Sequence, residues 1–247
     1  MNKSMLLLLT VLLSVVWHAQ AGTGKTIGSI SFLLGGPEDI HIQSRGSAEW
    51  SRVQLGLKVH DGDAIRTQKE SRCEIKLLDA SVIRIGESTS FVFTQAALSA
   101  QSRQIKAEIP TGQVYLNLST PVSGKSSFQI KAPTAVCAVR GTVYRVQADT
   151  ATQCVVYDGT VEVGPAKLWG LPRSTTSKSL QPVEVPGPSQ IPGPYEVSLD
   201  QWVKIVKGFQ ITVRADGKYA KAAFDPAQDA AKEWVKWNKE LDQKIKR

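Results

Sequence analysis

An imidazole base could come only from His41 or His60, because the third histidine, His18, lies in an apolar leader. His41 falls in an alternating strand pattern and His60 precedes Asp61-Gly62-Asp63, and neither setting matches a known catalytic arrangement. Asp61 and Asp63 are close carboxylates, but Asp-Gly-Asp is ordinary turn chemistry and lacks the other ligands of a calcium loop. Cys73, Cys137 and Cys154 are far apart in sequence, which with two histidines gives no zinc spacing. Gly22-Thr-Gly-Lys25-Thr26 is not a phosphate loop, since Ala19 stands where its first glycine would have to be. No enzyme, cofactor or metal site is expected. What remains is binding chemistry. Arg140-Gly141-Thr142 is read as a tight reversal, with the alternative that Arg140 offers its guanidinium to a carboxylate or phosphate of a partner. Trp50, Trp169 and Trp202 are aromatic platforms on which a sugar could stack, and Trp234 and Trp237 lie in a C-terminal helical pattern.

These residues sit in a β-rich chain. Arg72–Leu78, Gln113–Leu118, Ser127–Lys131 and Gln153–Tyr157 place an apolar side chain at every second position, the period of half-buried strands. Turns at Asp61-Gly62-Asp63, Ser123-Gly124 and Asp158-Gly159 separate them. The segment Arg66–Gly86 resembles Arg145–Gly164, each reading as strand, turn, strand, Asp-x-Ser/Thr turn, strand, as duplication or shared turn chemistry would produce. Seven prolines between Gly164 and Asp200 exclude a regular strand there and mark a linker or surface excursion. Phe209–Val213 then reads as a strand returning to the β body. Asp225, Pro226 and Gln228 open a helix whose apolar positions Ala227, Ala230, Trp234, Trp237, Leu241 and Ile245 form one stripe. Such a stripe docks on the parent domain or on a protein partner; membrane contact is the less favoured alternative.

Met5–Trp17 is an apolar run behind Lys3, and Ala19-Gln20-Ala21 has a small-x-small cleavage pattern. Residues 1–21 are therefore expected to be a signal peptide. The run is too short to span a bilayer of roughly 30 Å. The net charge of +8 is spread over dispersed basic residues, which favours acidic partners in general without indicating nucleic acid. In an oxidising compartment three cysteines leave at least one thiol unpaired in a monomer.

The densest cluster of unusual residues runs from Ala132-Pro-Thr134 through Arg140-Gly-Thr142 to Asp158-Gly-Thr-Val-Glu-Val163. It is preceded by Gly28-Ser-Ile30, Trp50, Gly62-Asp63-x-Ile65-Arg66-Thr67, Ser71 and Leu77-Leu-Asp-Ala-Ser81. In order and type this resembles the FecR domain over about Ile27 to Val163. Asp79-Ala80-Ser81 departs from the family's Asp-Gly-Ser, so the turn must avoid positive φ at Ala80 or accept strain. The resemblance implies a periplasmic or secreted protein of a Gram-negative bacterium, of the stand-alone exported kind without an anti-sigma segment. The expected function is non-enzymatic binding or scaffolding of an envelope protein, with a cell-wall or surface polysaccharide module as the alternative. The expected organisation is a FecR-like β body over residues 22–163, a two-layer sandwich or solenoid-like stack. A proline-rich excursion over 164–200 and a strand with an amphipathic helix over 201–247 follow.

Overall fold

The computed structural model describes residues 24–98, 103–118, 126–139, 141–169, 197–199 and 201–245. The leader, Arg140 and most of the proline-rich stretch lie outside the described residues. The first half of the chain contributes β1 (Thr26–Leu34), β2 (Ile40–Gln43), β3 (Ser51–Arg52), β4 (Lys58–His60), β5 (Ala64–Thr67), β6 (Arg72–Leu77), β7 (Val82–Ile85) and β8 (Ser90–Leu98). A long β9 (Arg103–Asn117) is followed by β10 (Ser127–Lys131), β11 (Ala135–Val139), β12 (Val143–Ala148), β13 (Ala151–Asp158) and β14 (Thr160–Pro165). The last strands are β15 (Val197–Ser198), β16 (Val203–Val206), β17 (Phe209–Arg214) and β18 (Lys218–Ala223), before helices α1 (Pro226–Ala231) and α2 (Glu233–Ile245).

The strands form two layers. One runs β4-β1-β6-β7-β9-β12-β13-β17-β18-β15 and is called sheet A here. The other, sheet B, runs β3-β2-β5-β8-β9-β10-β11-β14-β16. The described pairings are antiparallel except β9–β10, so of the two expected architectures the chain adopts the sandwich. Strand β9 serves both layers. Its first part pairs with β8 and β10, and the part from Gly112 onward pairs with β7 and β12. Gly112 allows that transfer because it holds φ at +99°, and a Cβ there would lie 2.2 Å from Oγ1 of Thr89.

Alternation decides which residues meet between the layers. Cys73, Ile75 and Leu77 of β6, Ile83 and Ile85 of β7, Val114 and Leu116 of β9 and Val146 of β12 join one apolar core with Ile65, Phe91, Phe93 and Ile130 of sheet B. The intervening residues of sheet A, including Arg72, Glu74, Arg84, Tyr115 and Arg145, lie on its outer face.

The internal echo is one of turn chemistry rather than of repeated structure. Strands β6 and β7 form a hairpin within sheet A, whereas the matching Asp158-Gly159 turn sends β13 to sheet A and β14 to sheet B. The two turns do share a backbone conformation, with φ at +64° for Ala80 and +80° for Gly159. Ala80 thus accepts the strain of a left-handed residue. Asp79 and Ser81 have a clear task in that turn: Nη1 of the buried Arg103 donates to Asp79 Oδ2 at 2.5 Å and to Ser81 Oγ at 2.6 Å. Replacing Ala80 with Gly should raise stability by about 0.5–1 kcal/mol, because relief of the left-handed penalty exceeds the added chain entropy. Urea unfolding would show this as a higher midpoint; a lower one would contradict the strain.

The helical pattern also differs from expectation. Asp225 caps α1 by accepting from the Ala227 and Gln228 amides at 2.8 and 3.3 Å, as its capping sequence requires. The single helix expected to run from Pro226 to Ile245 instead breaks at Lys232, whose ψ of 127° is extended. The continuous apolar stripe breaks with it. Ala227 is exposed, while Asp229, Trp234, Val235 and Asn238 are buried. The reason lies in what they cover.

Candidate functional site

The two helices form an arm across the outer face of sheet A, where a row of residues crosses five adjacent strands. Phe32 of β1, Glu74 of β6, Arg84 of β7, Tyr115 of β9 and Arg145 of β12 are successive register partners. Register alone makes them neighbours on one face. With the arm in place Arg84 is 0% exposed and Arg145 2%.

Each of these arginines acts with a tyrosine to hold one carboxylate of the arm. Asp242 accepts from Arg84 Nη1 at Oδ1 and from the Tyr115 hydroxyl at Oδ2, both at 2.7 Å. Asp229 accepts from Arg145 Nη2 at 3.0 Å and from the Tyr157 hydroxyl at 2.7 Å, with Lys232 Nζ at 3.0 Å completing the set. A third arginine, Arg72 of β6, bonds both oxygens of Glu233 and lies 5.4 and 5.3 Å from the ring centres of Trp234 and Trp237. Arg84 also donates from Nε to Glu74 at 2.7 Å and from Nη1 to the Asn238 carbonyl at 3.0 Å. Asn238 returns a bond to the Trp234 carbonyl at 2.7 Å, which accounts for its complete burial.

Between the ionic contacts lies an aromatic patch. Trp234 stacks on Trp237 with centroids 5.2 Å apart, Trp237 meets Phe32 edge-on at 5.6 Å, and Tyr115 lies 5.6 Å from Tyr157. Trp234, Val235 and Tyr115 form an apolar cluster separate from the main core, against which Val143, Tyr157 and Trp237 pack. The arm is therefore docked on its own β body through Trp234 and Trp237.

Burial and the adjoining carboxylates push both tyrosine hydroxyls up, so they remain donors throughout the ordinary pH range. Burial alone would raise the Asp229 carboxyl, but bonds from Tyr157 and Lys232 and the charge of Arg145 outweigh it and leave it below its usual value. The hydrogen bond from Arg72 likewise lowers Glu233. A carboxyl with a lowered folded pKa contributes stability that is present above its unfolded value, about 3.9 for Asp and 4.3 for Glu, and is lost as pH falls through the folded one. Arm docking, followed by tryptophan fluorescence, should thus be level from about pH 8 to about pH 5 and weaken below about pH 4. Release near pH 6 would contradict the assignment.

Gly141 and Thr142 lie at the edge of this face. The Thr142 hydroxyl donates to the Thr160 carbonyl at 3.0 Å, and the Leu118 amide donates to the Thr142 carbonyl at 3.1 Å. The turn therefore ties β12 to the β13–β14 corner and to the end of β9. With Tyr115, Tyr157, Asp242, Lys207 and Lys239, these two residues line a groove of about 690 Å³ beside the end of the arm. Arg140 lies outside the described residues.

The other residues singled out by sequence are elsewhere. Trp50 is half-buried on the sheet B side, with the Arg66 guanidinium 4.3 Å from its ring centre. Trp169 and Trp202 are half-buried as well, Trp202 because its ring packs on Gly164. None of the three is the exposed stacking platform expected of a polysaccharide module. Asp61 accepts from the Ala96 amide at 2.6 Å and Asp63 from the His60 amide at 2.7 Å, so both hold the turn that contains them. Cys73, Cys137 and Cys154 are free and buried; burial pushes the Cys73 thiol up to about 12. Among the described residues no group of three or more His, Cys, Asp or Glu is placed to hold a metal, and no helix is long and apolar enough to cross a membrane.

Sequence reasoning missed Arg72, Arg84, Arg145, Tyr115 and Tyr157. Their signal was present in the alternation, which puts a charged or hydroxylated residue at outward positions of adjacent strands.

No curated protein matches the chain. Two crystal structures described as a "putative anti-sigma factor" from Parabacteroides distasonis ATCC 8503, at 1.65 and 2.50 Å resolution, are similar with a TM-score of 0.46 and 17% identity. Each alignment covers 68% of this chain and 62% of the other, so the match spans less than two thirds of those chains. Residues 63–162, which supply Arg72, Arg84, Tyr115, Arg145 and Tyr157, match the family model described as FecR protein, and this segment of the chain is FecR-like.

Proposed function

We propose that this chain is a non-enzymatic, regulatory FecR-type protein, exported through residues 1–21 to the periplasm or beyond, where it binds an envelope protein. The observation that carries this reading is the outer face of sheet A, where arginine and tyrosine donors from four strands hold carboxylates of the two arm helices. Fixed donors that match carboxylates in position, set around an aromatic patch, are the chemistry of protein recognition. The characteristic motif residues support it from the structural side, since Asp63, Asp79, Ser81 and Thr142 each hold the backbone or a buried arginine in place. They build a rigid scaffold and leave the face to do the binding.

The test is photo-crosslinking in the native host, with the reactive residue placed in turn at the exposed Leu55, Leu78 and Phe209. The expected result is a discrete adduct with an envelope protein, which disappears when residues 1–21 are removed. Adducts with cytoplasmic proteins alone, or none at any position, would overturn the proposal.

A further inference from the structure

The arm covers its face in an unusual way for a permanent core. Three guanidiniums, Arg72, Arg84 and Arg145, lie beneath it, together with the hydroxyls of Tyr115 and Tyr157. If the arm lifts, water takes up these groups readily, whereas an aliphatic face of the same area would resist exposure. The open state is thus tolerable. The closed state is also incompletely satisfied: among the described residues Arg84 Nη2 and Arg72 Nε of the face are buried without an acceptor. Another helix with a carboxylate or amide oxygen at those points would satisfy donors that the arm leaves unpaired.

From these observations we infer that the outer face of sheet A is a docking surface for an acidic, aromatic-bearing helix of a partner protein, and that the arm occupies it in cis as a tethered competitor. This rests on the protein-binding reading above and names its site, its partner chemistry and its control. Charge complementarity selects the occupant. The face presents Arg72, Arg84 and Arg145 as cations and two tyrosine donors, and the carboxylates it now holds are Glu233, Asp229 and Asp242. The junction for release is Phe224 and the exposed Asp225, between the end of β18 and α1, where the Phe224 amide donates to the Gly208 carbonyl at 3.2 Å. The groove beside Tyr115 and Asp242 leaves one end of the carboxylate row accessible, so a partner can engage there before the arm has fully left.

A fluorescent peptide of residues 225–245 serves as the probe, titrated into the full-length protein. In the wild type the tethered arm competes at an effective concentration on the order of millimolar, so the peptide should bind weakly. In D229N/D242N the tethered arm loses its two clamped carboxylates, and the wild-type peptide should bind at least tenfold more tightly. Arg145→Ala added to that variant should abolish the gain, and a peptide carrying both Asn substitutions should not show it. Should D229N/D242N fail to fold, Trp234→Ala loosens the arm at another point and carries the same expectation. Equal binding to wild type and loosened variants, or a gain indifferent to Arg145, would overturn the inference. So would binding of loosened variants to phosphatidylglycerol vesicles but not to the peptide, which would make the face a lipid site. Envelope crosslinks without peptide binding would sink this inference and leave the proposed function standing; peptide binding without envelope crosslinks would do the reverse.

Discussion

Replacing Arg84 with Ala should destabilise the arm by about 3–5 kcal/mol, the range observed when one member of a buried ion pair is removed. Arg84 donates to both Glu74 and Asp242, at 2.7 Å each, and its own side chain is wholly buried. The two carboxylates fare differently once it is gone. Glu74 keeps the Ser31 hydroxyl at 2.6 Å, whereas Asp242, on the arm, keeps the Tyr115 hydroxyl and gains by moving into water. The variant should therefore release the arm before the sandwich unfolds. Limited trypsin digestion would detect this as rapid cleavage at Lys232, Lys236 and Lys239 with the β body intact. Arg84→Lys should fall between, because a lysine keeps the charge but cannot bond Glu74 and Asp242 through a planar fork. Unchanged proteolysis of the arm in Arg84→Ala would contradict the placement of the helix.

Trp234→Ala should have an effect of similar size, about 3–5 kcal/mol on the scale of large aromatic truncations in a packed site. The residue is 6% exposed and packs against both Trp237 and the Arg72 guanidinium, so its loss opens a cavity in the aromatic patch. The arm has little reserve to absorb this. Helices of six and thirteen residues are too short to persist alone in water, and their order comes from packing on sheet A. The expected result is a lower urea midpoint for the whole protein and a protease-sensitive tail, without lipid or partner present. A midpoint equal to that of the wild type would mean that the patch adds nothing to the fold.

The two sheets were legible in the sequence because period-two alternation is local: Arg72-Cys-Glu-Ile-Lys-Leu77 shows an inward Cys73, Ile75 and Leu77 without knowledge of any neighbour. The start of the arm was legible for the same reason, since Asp225, Pro226 and Gln228 act on adjacent amides. The break at Lys232 was not, because it answers to contacts far along the chain. Asp229 pairs with Arg145 and Asp242 with Arg84, 84 and 158 residues away. The buried Asp229 and Asn238 and the half-buried Asp242 fall outside the apolar spacing, which selected Ala227 and Ala230 instead. The three arginines were read as dispersed surface charge for the same reason. Alternation places Arg84, Tyr115 and Arg145 on one face, but only strand register makes them a row, and register depends on the order β7-β9-β12. The tryptophans failed differently. Trp50 and Trp202 are covered by Arg66 and by the backbone at Gly164, neither of which is a sequence neighbour.

The central claim is that sheet A holds the arm through paired donors on its carboxylates, and a double-mutant cycle between Arg145 and Asp229 tests it most directly. The two groups are 3.0 Å apart and nearly fully buried, on β12 and α1. Urea unfolding of the wild type, Arg145→Ala, Asp229→Ala and the double variant should give a coupling of about 1.5–3 kcal/mol, as for a hydrogen bond between charged groups. Effects that add to within about 0.5 kcal/mol would show that the two residues do not meet in solution, and would contradict the account.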